Sequence, residues 1–423
     1  MVLAGAGAWW LVDPLSVDEP KDRANAMQAA FTIAFGFGGL ATLGLFTRRQ
    51  WHQERVHEHT EYDAEQRRIT EQYVQAVEQL GHEKAPVRLG GLYALDRLGR
   101  NHPEQRQVIS EVWCAYLRRR YTPPVDILSE AREGDEGEEA EPTEEQLQKD
   151  AEAADEYEVR MTAQRLLAGH LKDPRPEEER DDARPDESDE FWHLEHVDLT
   201  GATLIDADFD GCQLPILKAD RARFYRSTSF FGTYFGGAAS FVGVRFGGAA
   251  SFDGVRFGGE ASFGEARFGG AAWFDGVRFG GDAWFGGVRF GGEAWFDGAQ
   301  FERVAWFGEA RFEHDAWFGG ARFGGSAGFG GVRFGGSAGF DEARFRGAAR
   351  FDGVRFGGAA WFDEVRFEST EETAEGSPLP DGRFVMDEAI VYRIEFEDEE
   401  HVWPPGWEPV PDGDKWRLVR VEE

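Results

Sequence analysis

Phenylalanine recurs along residues 235–367 with alternating spacings of six and five positions, so the full period is eleven residues. Each half of the period holds a small residue, an outward residue and Phe, followed by a turn that contains Gly-Gly or Asp-Gly. Residues two apart lie on the same side of an extended chain, so Val244 and Phe246 are predicted to face inward and Arg245 outward. Glycine accepts the positive φ of tight turns and costs about 1 kcal/mol inside a helix. The pattern therefore predicts short strands wound into a β-solenoid, and it argues against a helix of the same period.

A simpler pattern with a spacing of five precedes this region. Its central residues are Leu199, Leu204, Phe209 and Leu214, and the last three are preceded two positions earlier by Ala202, Ala207 and Cys212. These residues resemble the pentapeptide-repeat family, whose unit is a small residue, a polar one, a central Leu or Phe and two turn-formers. The resemblance covers most of residues 191–367 and implies a right-handed quadrilateral β-helix with four units per coil.

One extra residue in every second unit departs from the family pattern. A coil of four units then contains two periods of eleven residues rather than four units of five. We place the extra residue in the Gly-Gly-x corners, at positions such as Ala249, Glu260 and Asp282. A flatter coil of a single eleven-residue period is the alternative. With four units per coil, the region would form about seven to eight coils spaced by roughly 4.8 Å.

Residues 24–47 contain no charged side chain, and the segment is long enough to span a bilayer as a helix. Arg48, Arg49 and Arg55 follow, whereas the preceding loop is acidic. This asymmetry predicts a bacterial inner or plasma membrane anchor with the bulk of the chain in the cytoplasm. A buried helix of a soluble domain is the alternative. Residues 1–12 are apolar but too short to cross alone, and they are interpreted as the end of a truncated first membrane helix.

The remaining segments complete an α+β multidomain chain, in which residues 1–50 form the membrane anchor. Residues 51–127 show helical periodicity and resemble the helical segment found between anchor and repeats in bacterial pentapeptide-repeat proteins, with Arg88 and Asp96 as candidate partners. Residues 128–190 are an acidic linker with one helix at about 156–172. Residues 191–367 are the solenoid. Residues 368–423 alternate apolar and polar side chains on both sides of a predicted turn region at 402–414, and they are predicted to form a β cap over the open end.

Composition bears mainly on what the chain does not do. The formal net charge of −33 argues against nucleic-acid binding. Cys114 and Cys212 fall in unrelated segments, which fits a reducing compartment. Two Gly-x-Ser-x-Gly strings, around Ser326 and Ser337, fall in repeat turns and lack the strand-to-helix elbow of hydrolases. We therefore predict no catalytic, cofactor-binding or metal site, and no enzymatic activity.

Two outward columns are the candidate interaction faces. The Arg column recurs every eleven residues, so that coils of two periods divide it between two opposite faces, and the first face holds Arg245, Arg267, Arg289, Arg311 and Arg333. Acidic residues lie within four positions of many of these Arg residues, which suggests a self-neutralising ladder in which Asp and Glu of the same chain balance the Arg charges. The alternative is a docking face for an acidic partner. The Trp column precedes Phe and comprises Trp273, Trp284, Trp295, Trp306, Trp317 and Trp361. Exposed aromatic strips often mark interfaces with a partner protein or a second copy, although self-stacking explains them as well.

Two functions are consistent with these features. The first is a non-enzymatic, membrane-anchored scaffold that needs no cofactor and presents the solenoid to a protein partner. The second is implied by the resemblance, because some pentapeptide-repeat proteins mimic DNA and bind gyrase or topoisomerase. The Arg columns and the membrane anchor favour the scaffold.

Overall fold

A computed structural model describes residues 62–130, 143–176, 185–367, 384–386, 389–391, 403–404, 406–412 and 415–421. The chain divides into two compact units, Met1–Val74 and Gln75–Glu423. Residues 62–74 are helical in the first unit, and residues 75–80 are helical in the second. None of the helices within the described ranges combines the length and apolar composition that a membrane span requires. The predicted membrane segment, residues 24–47, and the apolar residues 1–12 lie outside the described residues.

A small helical region precedes the solenoid. Its elements are α1 (Ala85–Asn101), a 3-10 turn (Pro103–Gln105), α2 (Arg106–Arg118), α3 (Val125–Glu130) and α4 (Glu144–Leu171). Helix α4 begins well before the predicted start near residue 156, inside the sequence interpreted as linker. A capping box explains this start, because Thr143 accepts from the Gln146 N–H and the Gln146 side chain accepts from the Thr143 N–H. Local capping outweighs the acidic composition of the first turns.

Helix α4 also supplies the partners of two charged residues on α1. Arg88 contacts Glu156 at 3.0 Å, and the Asp96 carboxylate lies 2.5 Å from the His170 Nε2. The predicted contact between Arg88 and Asp96 is therefore wrong. Each side chain finds a closer partner on α4, which the sequence placed in a shorter and separate helix.

The solenoid is four-sided, and each coil contributes one short strand to each of four parallel walls. Wall 1 contains His196–Asp198, Ile216–Lys218, Ala239–Ser240, Ala261–Ser262, Ala283–Trp284, Ala305–Trp306, Ala327–Gly328, Ala349–Arg350 and Phe384–Val385. Wall 2 contains the first halves of Thr203–Asp208 and Arg223–Ser229, then Arg245–Phe246, Arg267–Phe268, Arg289–Phe290, Arg311–Phe312, Arg333–Phe334, Arg355–Phe356 and Ile390–Val391. Wall 3 contains the second halves of the first two strands of wall 2, then Ala250–Ser251, Ala272–Trp273, Ala294–Trp295, Ala316–Trp317, Ala338–Gly339 and Ala360–Trp361. Wall 4 contains Gln213–Leu214, Tyr234–Phe235, Arg256–Phe257, Arg278–Phe279, Gln300–Phe301, Arg322–Phe323, Arg344–Phe345 and Arg366–Phe367.

Strand register gives the coil length directly. His196 pairs with Ile216, so the first coil is four units of five, whereas Arg267 pairs with Arg289, so a later coil is two periods of eleven. The alternative of a coil with a single eleven-residue period is therefore wrong. The coil lengthens when units of six begin, and the extra residue lies in a three-residue Gly-Gly-x corner, as predicted.

Four columns of stacked Phe rings fill the interior. Phe296 on wall 3 stacks on Phe274 and Phe318 of the neighbouring coils, with ring centroids 4.8 and 4.9 Å apart. It meets Phe285 and Phe307 of wall 1 edge-to-face at 5.6 and 5.5 Å. Both arrangements suit the quadrupole of aromatic rings. The solenoid core is thus a buried lattice of aromatic rings with small Ala or Val side chains between them.

The corners are of two kinds. In the Asp-Gly corners, the fourth residue donates to the first, as Ala299 N–H does to Phe296 O at 3.1 Å, and Gly298 has φ of 66°. Positive φ at the third position is the signature of a type II turn. In the Gly-Gly-x corners, coils approach closely, and a Cβ at Gly281 would lie 2.4 Å from the Gly259 carbonyl carbon. Conformation favours glycine at the first kind of corner, and the close approach of the coils favours it at the second.

Glu309 occupies the third turn position with φ of 61°, which strains an L-residue. We expect Glu309→Gly to raise the free energy of unfolding by about 0.5–1 kcal/mol and Gly298→Ala to lower it by about 1 kcal/mol. No heavy atom lies within 4 Å of a Cβ built at Gly298, so the second effect is conformational. Urea denaturation measures both changes. Glu309→Ala is the control, since it removes the charge but keeps the strain; a stabilising Gly298→Ala would contradict the turn assignment.

Both ends of the solenoid carry additional structure. At the first coil, the Gln164 side chain on α4 donates to Ile205 O at 2.9 Å and accepts from Ile205 N–H at 3.1 Å, as a neighbouring strand would. After the last coil, Ile390–Val391 leads into an antiparallel hairpin of Trp407–Asp412 and Lys415–Arg420. The strand Trp407–Asp412 was interpreted as a turn region, which is wrong. Its prolines are tolerated because it is an edge strand.

Candidate interaction surfaces

The predicted Arg face forms a straight column on wall 2. Each Arg pairs in register with the Arg one coil away, and all members are exposed: Arg245, Arg267, Arg289, Arg311, Arg333 and Arg355. We call this set the wall-2 Arg column. Within the part of the chain that the structure describes, none of these guanidinium groups has an ion pair or a hydrogen bond. The predicted self-neutralising ladder is therefore wrong for wall 2.

The second Arg column, on wall 4, is less regular. Gln300 interrupts it, and Arg256 lies over the Tyr234 ring at 5.8 Å. A hollow of about 370 Å³ lies beside the interruption, lined by Gln300, Phe301, Glu302, Arg322, Phe323, Gly324, Arg344 and Arg346. The two Arg columns are thus not equivalent, although they share one sequence period.

Acidic side chains that were expected to neutralise the Arg columns instead bind backbone. At the corner between walls 3 and 4, Asp253, Asp275, Asp297 and Asp341 each accept from the N–H one coil further on, as Asp275 does from Asp297 at 3.0 Å and Asp297 from Gly319 at 2.7 Å. We call this set the Asp column, and it comprises Asp253, Asp275, Asp297, Asp341 and Asp363. Comparing every second eleven-residue period of the sequence would have revealed the Asp column. Its hydrogen-bond partners could not be found in this way, because they depend on the geometry of the corner.

Burial, together with the charges of Asp253 and Asp297, raises the pKa of Asp275 to about 6, although the Asp297 N–H opposes the shift. The pKa values of Asp253 and Asp297 are also raised, mainly by burial. A raised pKa in the folded state means that folding takes up a proton. The contribution to stability is therefore complete below the ordinary Asp pKa and is lost as the pH rises through about 6.

We accordingly expect Asp275→Asn to stabilise the solenoid at pH 8 and to have little effect at pH 4. The Asn oxygen still accepts from the Asp297 N–H, so the change removes only the charge. Urea midpoints at the two pH values measure the difference. Asp352→Asn, on another corner of the same rod, is the matched control, and an equal gain for Asp275→Asn at both pH values would contradict the account.

The six predicted Trp residues divide between two opposite walls. Wall 3 holds Trp273, Trp295, Trp317 and Trp361, and wall 1 holds Trp284 and Trp306. Trp273 stacks on Trp295, and Trp317 stacks on Trp361, each at 5.6 Å. Trp317 reaches Trp361 by lying over Gly339, where a Cβ would be only 2.6 Å from its ring. Stacking therefore accounts for part of the wall-3 column, and it leaves Trp306 on wall 1 as the most exposed indole of the set, at 42%.

The residues that suggested catalytic chemistry are separated by the fold. Ser326 and Ser337 each lie in a Gly-Gly-x corner, and the Ser337 N–H donates to Asp315. Among the described residues, no group of His, Cys, Asp and Glu side chains has the arrangement of a metal site. The features that remain are the outward columns of the walls.

Comparison with known families agrees with this geometry. The family model described as "Pentapeptide repeats (9 copies)" matches residues 230–278, 241–289, 252–300, 285–333 and 329–371. The model described as "Pentapeptide repeats (8 copies)" matches residues 193–215. No curated protein and no solved structure matches the chain. The matched residues make up most of the four-walled solenoid, and the chain is a pentapeptide-repeat protein.

Proposed function

We propose that this protein is a non-enzymatic scaffold, held at a bacterial membrane by residues 24–47, that presents its solenoid in the cytoplasm to a partner protein. Pentapeptide-repeat solenoids are generally protein-interaction modules. The observation that carries the proposal is the uninterrupted wall-2 Arg column together with the outward Trp side chains of walls 1 and 3. Such columns suit binding across an extended surface, which is how proteins recognise other proteins.

The membrane part of the proposal is supported by the uncharged residues 24–47 and by Arg48, Arg49 and Arg55 directly after them. Fractionation of the full chain tests it. We expect the chain in the membrane fraction and its release by detergent. The variant Phe35→Arg/Leu40→Arg, which places two charges in the segment, should move to the soluble fraction. Recovery of the unaltered chain in the soluble fraction without detergent would contradict the anchor.

The binding part is tested by affinity capture with the full chain as bait. We expect proteins that are retained by the unaltered chain to be lost by Trp284→Ser/Trp306→Ser, because an exposed indole carries much of the binding energy at an interface. Arg350→Ser, an exposed change on the same wall, is the matched control. Equal retention by all three baits would remove wall 1 as the binding face.

The alternative of DNA mimicry for gyrase or topoisomerase has less support. A mimic of DNA needs a surface dominated by carboxylates, whereas an uninterrupted row of exposed Arg side chains runs along wall 2. A supercoiling assay with the full chain separates the two functions. Inhibition of gyrase at micromolar concentrations would favour the mimic, and its absence would favour the scaffold.

A further inference from the structure

The wall-2 Arg column is a row of like charges with a fixed spacing. Phe268, Phe290 and Phe312, which follow its members on the same strands, stack with centroids 4.9 and 4.7 Å apart, and this distance is the rise of one coil. Like charges at this distance repel one another, and no described carboxylate lies close enough to pair with them. The column is thus an unmatched row of positive charge.

The Asp column is its counterpart in the same molecule. Asp253, Asp275 and Asp297 follow Phe252, Phe274 and Phe296, whose rings stack at 4.8 Å, so these carboxylates repeat with the same rise as the guanidinium groups. Gly319 interrupts the column once, before Asp341 and Asp363. Among the described residues, the carboxylates of Asp253, Asp275 and Asp297 have no ion pair. The column lies at the corner between walls 3 and 4, so it cannot reach the wall-2 Arg column of its own chain.

The common rise decides what kind of partner fits. Side chains on one face of an extended acidic peptide repeat about every 6.6–6.8 Å, and they fall out of step with the Arg column within a few residues. A solenoid of the same repeat stays in step at every coil. The repeats between Phe230 and Phe367 carry 14 Arg and 16 Asp or Glu, so two such rods do not repel each other as strongly as the net charge of −33 suggests.

We propose that the wall-2 Arg column binds the Asp column of a second copy of this chain, side against side. The two columns occupy different parts of the perimeter, so the contact is heterologous. In a pair of chains, one copy keeps a free wall-2 Arg column and the other keeps a free Asp column. Growth beyond a dimer follows from this arrangement. The proposal requires neither the membrane anchor nor a different partner protein, so it goes beyond the proposed function and can fail separately from it.

Energy transfer between donor- and acceptor-labelled full chains, in mild detergent at about 0.1 M salt, tests the contact. We expect transfer that rises with concentration and falls at higher salt. Arg289→Glu/Arg311→Glu should weaken it by roughly tenfold or more, and so should Asp275→Arg/Asp297→Arg. A mixture of these two variants should regain transfer, because each retains the column that the other has lost. Circular dichroism of each variant verifies the fold.

The matched control is Arg322→Glu/Arg344→Glu, which makes the same reversal on wall 4 and should leave transfer unchanged. The proposal is overturned if the unaltered chain shows no transfer up to about 100 µM, where weak ionic contacts become detectable. It is also overturned if the wall-2 reversal has no effect, if the wall-4 reversal weakens transfer equally, or if the mixture does not regain it. Binding of a monomeric chain to poly-glutamate would assign the column to an acidic peptide and would likewise reject a second copy.

Discussion

Replacement of Phe296 by Ala is expected to lower the free energy of unfolding of the solenoid by about 3–5 kcal/mol. The ring is fully buried and contacts rings above, below and across the interior, so its removal opens a cavity that the neighbouring coils cannot close. Lost ring contacts add to the loss of burial, at about 0.5–1.5 kcal/mol for each well-placed pair. Urea denaturation followed by circular dichroism gives the value.

The adjacent residue provides the matched control. Trp295 is larger than Phe296 but faces outward at the end of the strand Ala294–Trp295, so Trp295→Ser should cost much less than Phe296→Ala. The comparison separates inward from outward positions at one point of the chain. A loss below about 1 kcal/mol for Phe296→Ala, or a larger loss for Trp295→Ser, would contradict the interior lattice of Phe rings.

Replacement of Arg160 by Met is expected to destabilise the helical region by about 3–5 kcal/mol. Arg160 is buried, and its guanidinium contacts Glu156 at 2.9 Å. It also donates to Leu117 O at 3.0 Å and Arg119 O at 2.8 Å, and so satisfies carbonyls at the end of α2. The substitution leaves these carbonyls without their donor and removes one of the two Arg side chains beside Glu156, which keeps Arg88 at 3.0 Å. Buried polar groups that lose their partners are costly.

Circular dichroism at the helical band during urea denaturation measures this change. Arg165→Met is the control, because Arg165 lies on the exposed side of the same helix and should cost less than about 0.5 kcal/mol. Equal effects of Arg160→Met and Arg165→Met would show that the buried contact does not stabilise the region.

The solenoid was predictable because its signal is local and repeated. The inward position of Phe246 and the outward position of Arg245 follow from the period of a strand, and the corners follow from glycine. Repetition turns a weak local pattern into a strong one, because each coil faces the same packing problem as the next. The choice between a coil of two periods and a coil of one required the register, since either length places Phe inward at every step.

The helical region was less predictable because its contacts depend on which helices meet. Arg88 and Asp96 share one helix and were interpreted as partners, but α4 supplies Glu156 to one and His170 to the other. Acidic composition also concealed the first turns of α4. Nothing in the local sequence shows that Gln164 will pair with Ile205 at the edge of the first coil.

The walls present an intermediate case. The sequence places Arg and Trp outward and gives their spacing, which divides them between opposite walls once the coil has four sides. It does not show that Asp297 will bind the Gly319 N–H rather than an Arg, because that choice depends on the path of the corner. The difference between the exposed Arg column of wall 2 and the interrupted column of wall 4 therefore emerges only in three dimensions.

The four-sided coil of two eleven-residue periods is tested most directly by dipolar broadening between spin labels on wall positions. Labels attached at Arg289→Cys and Arg311→Cys should interact strongly, because these residues are paired in register one coil apart. Labels at Arg289→Cys and Gln300→Cys should not, because those residues lie on opposite walls. Cys114 and Cys212 are buried and should not take up the label. Strong broadening for positions 289 and 300, as a flat coil of a single period would give, would contradict the structure.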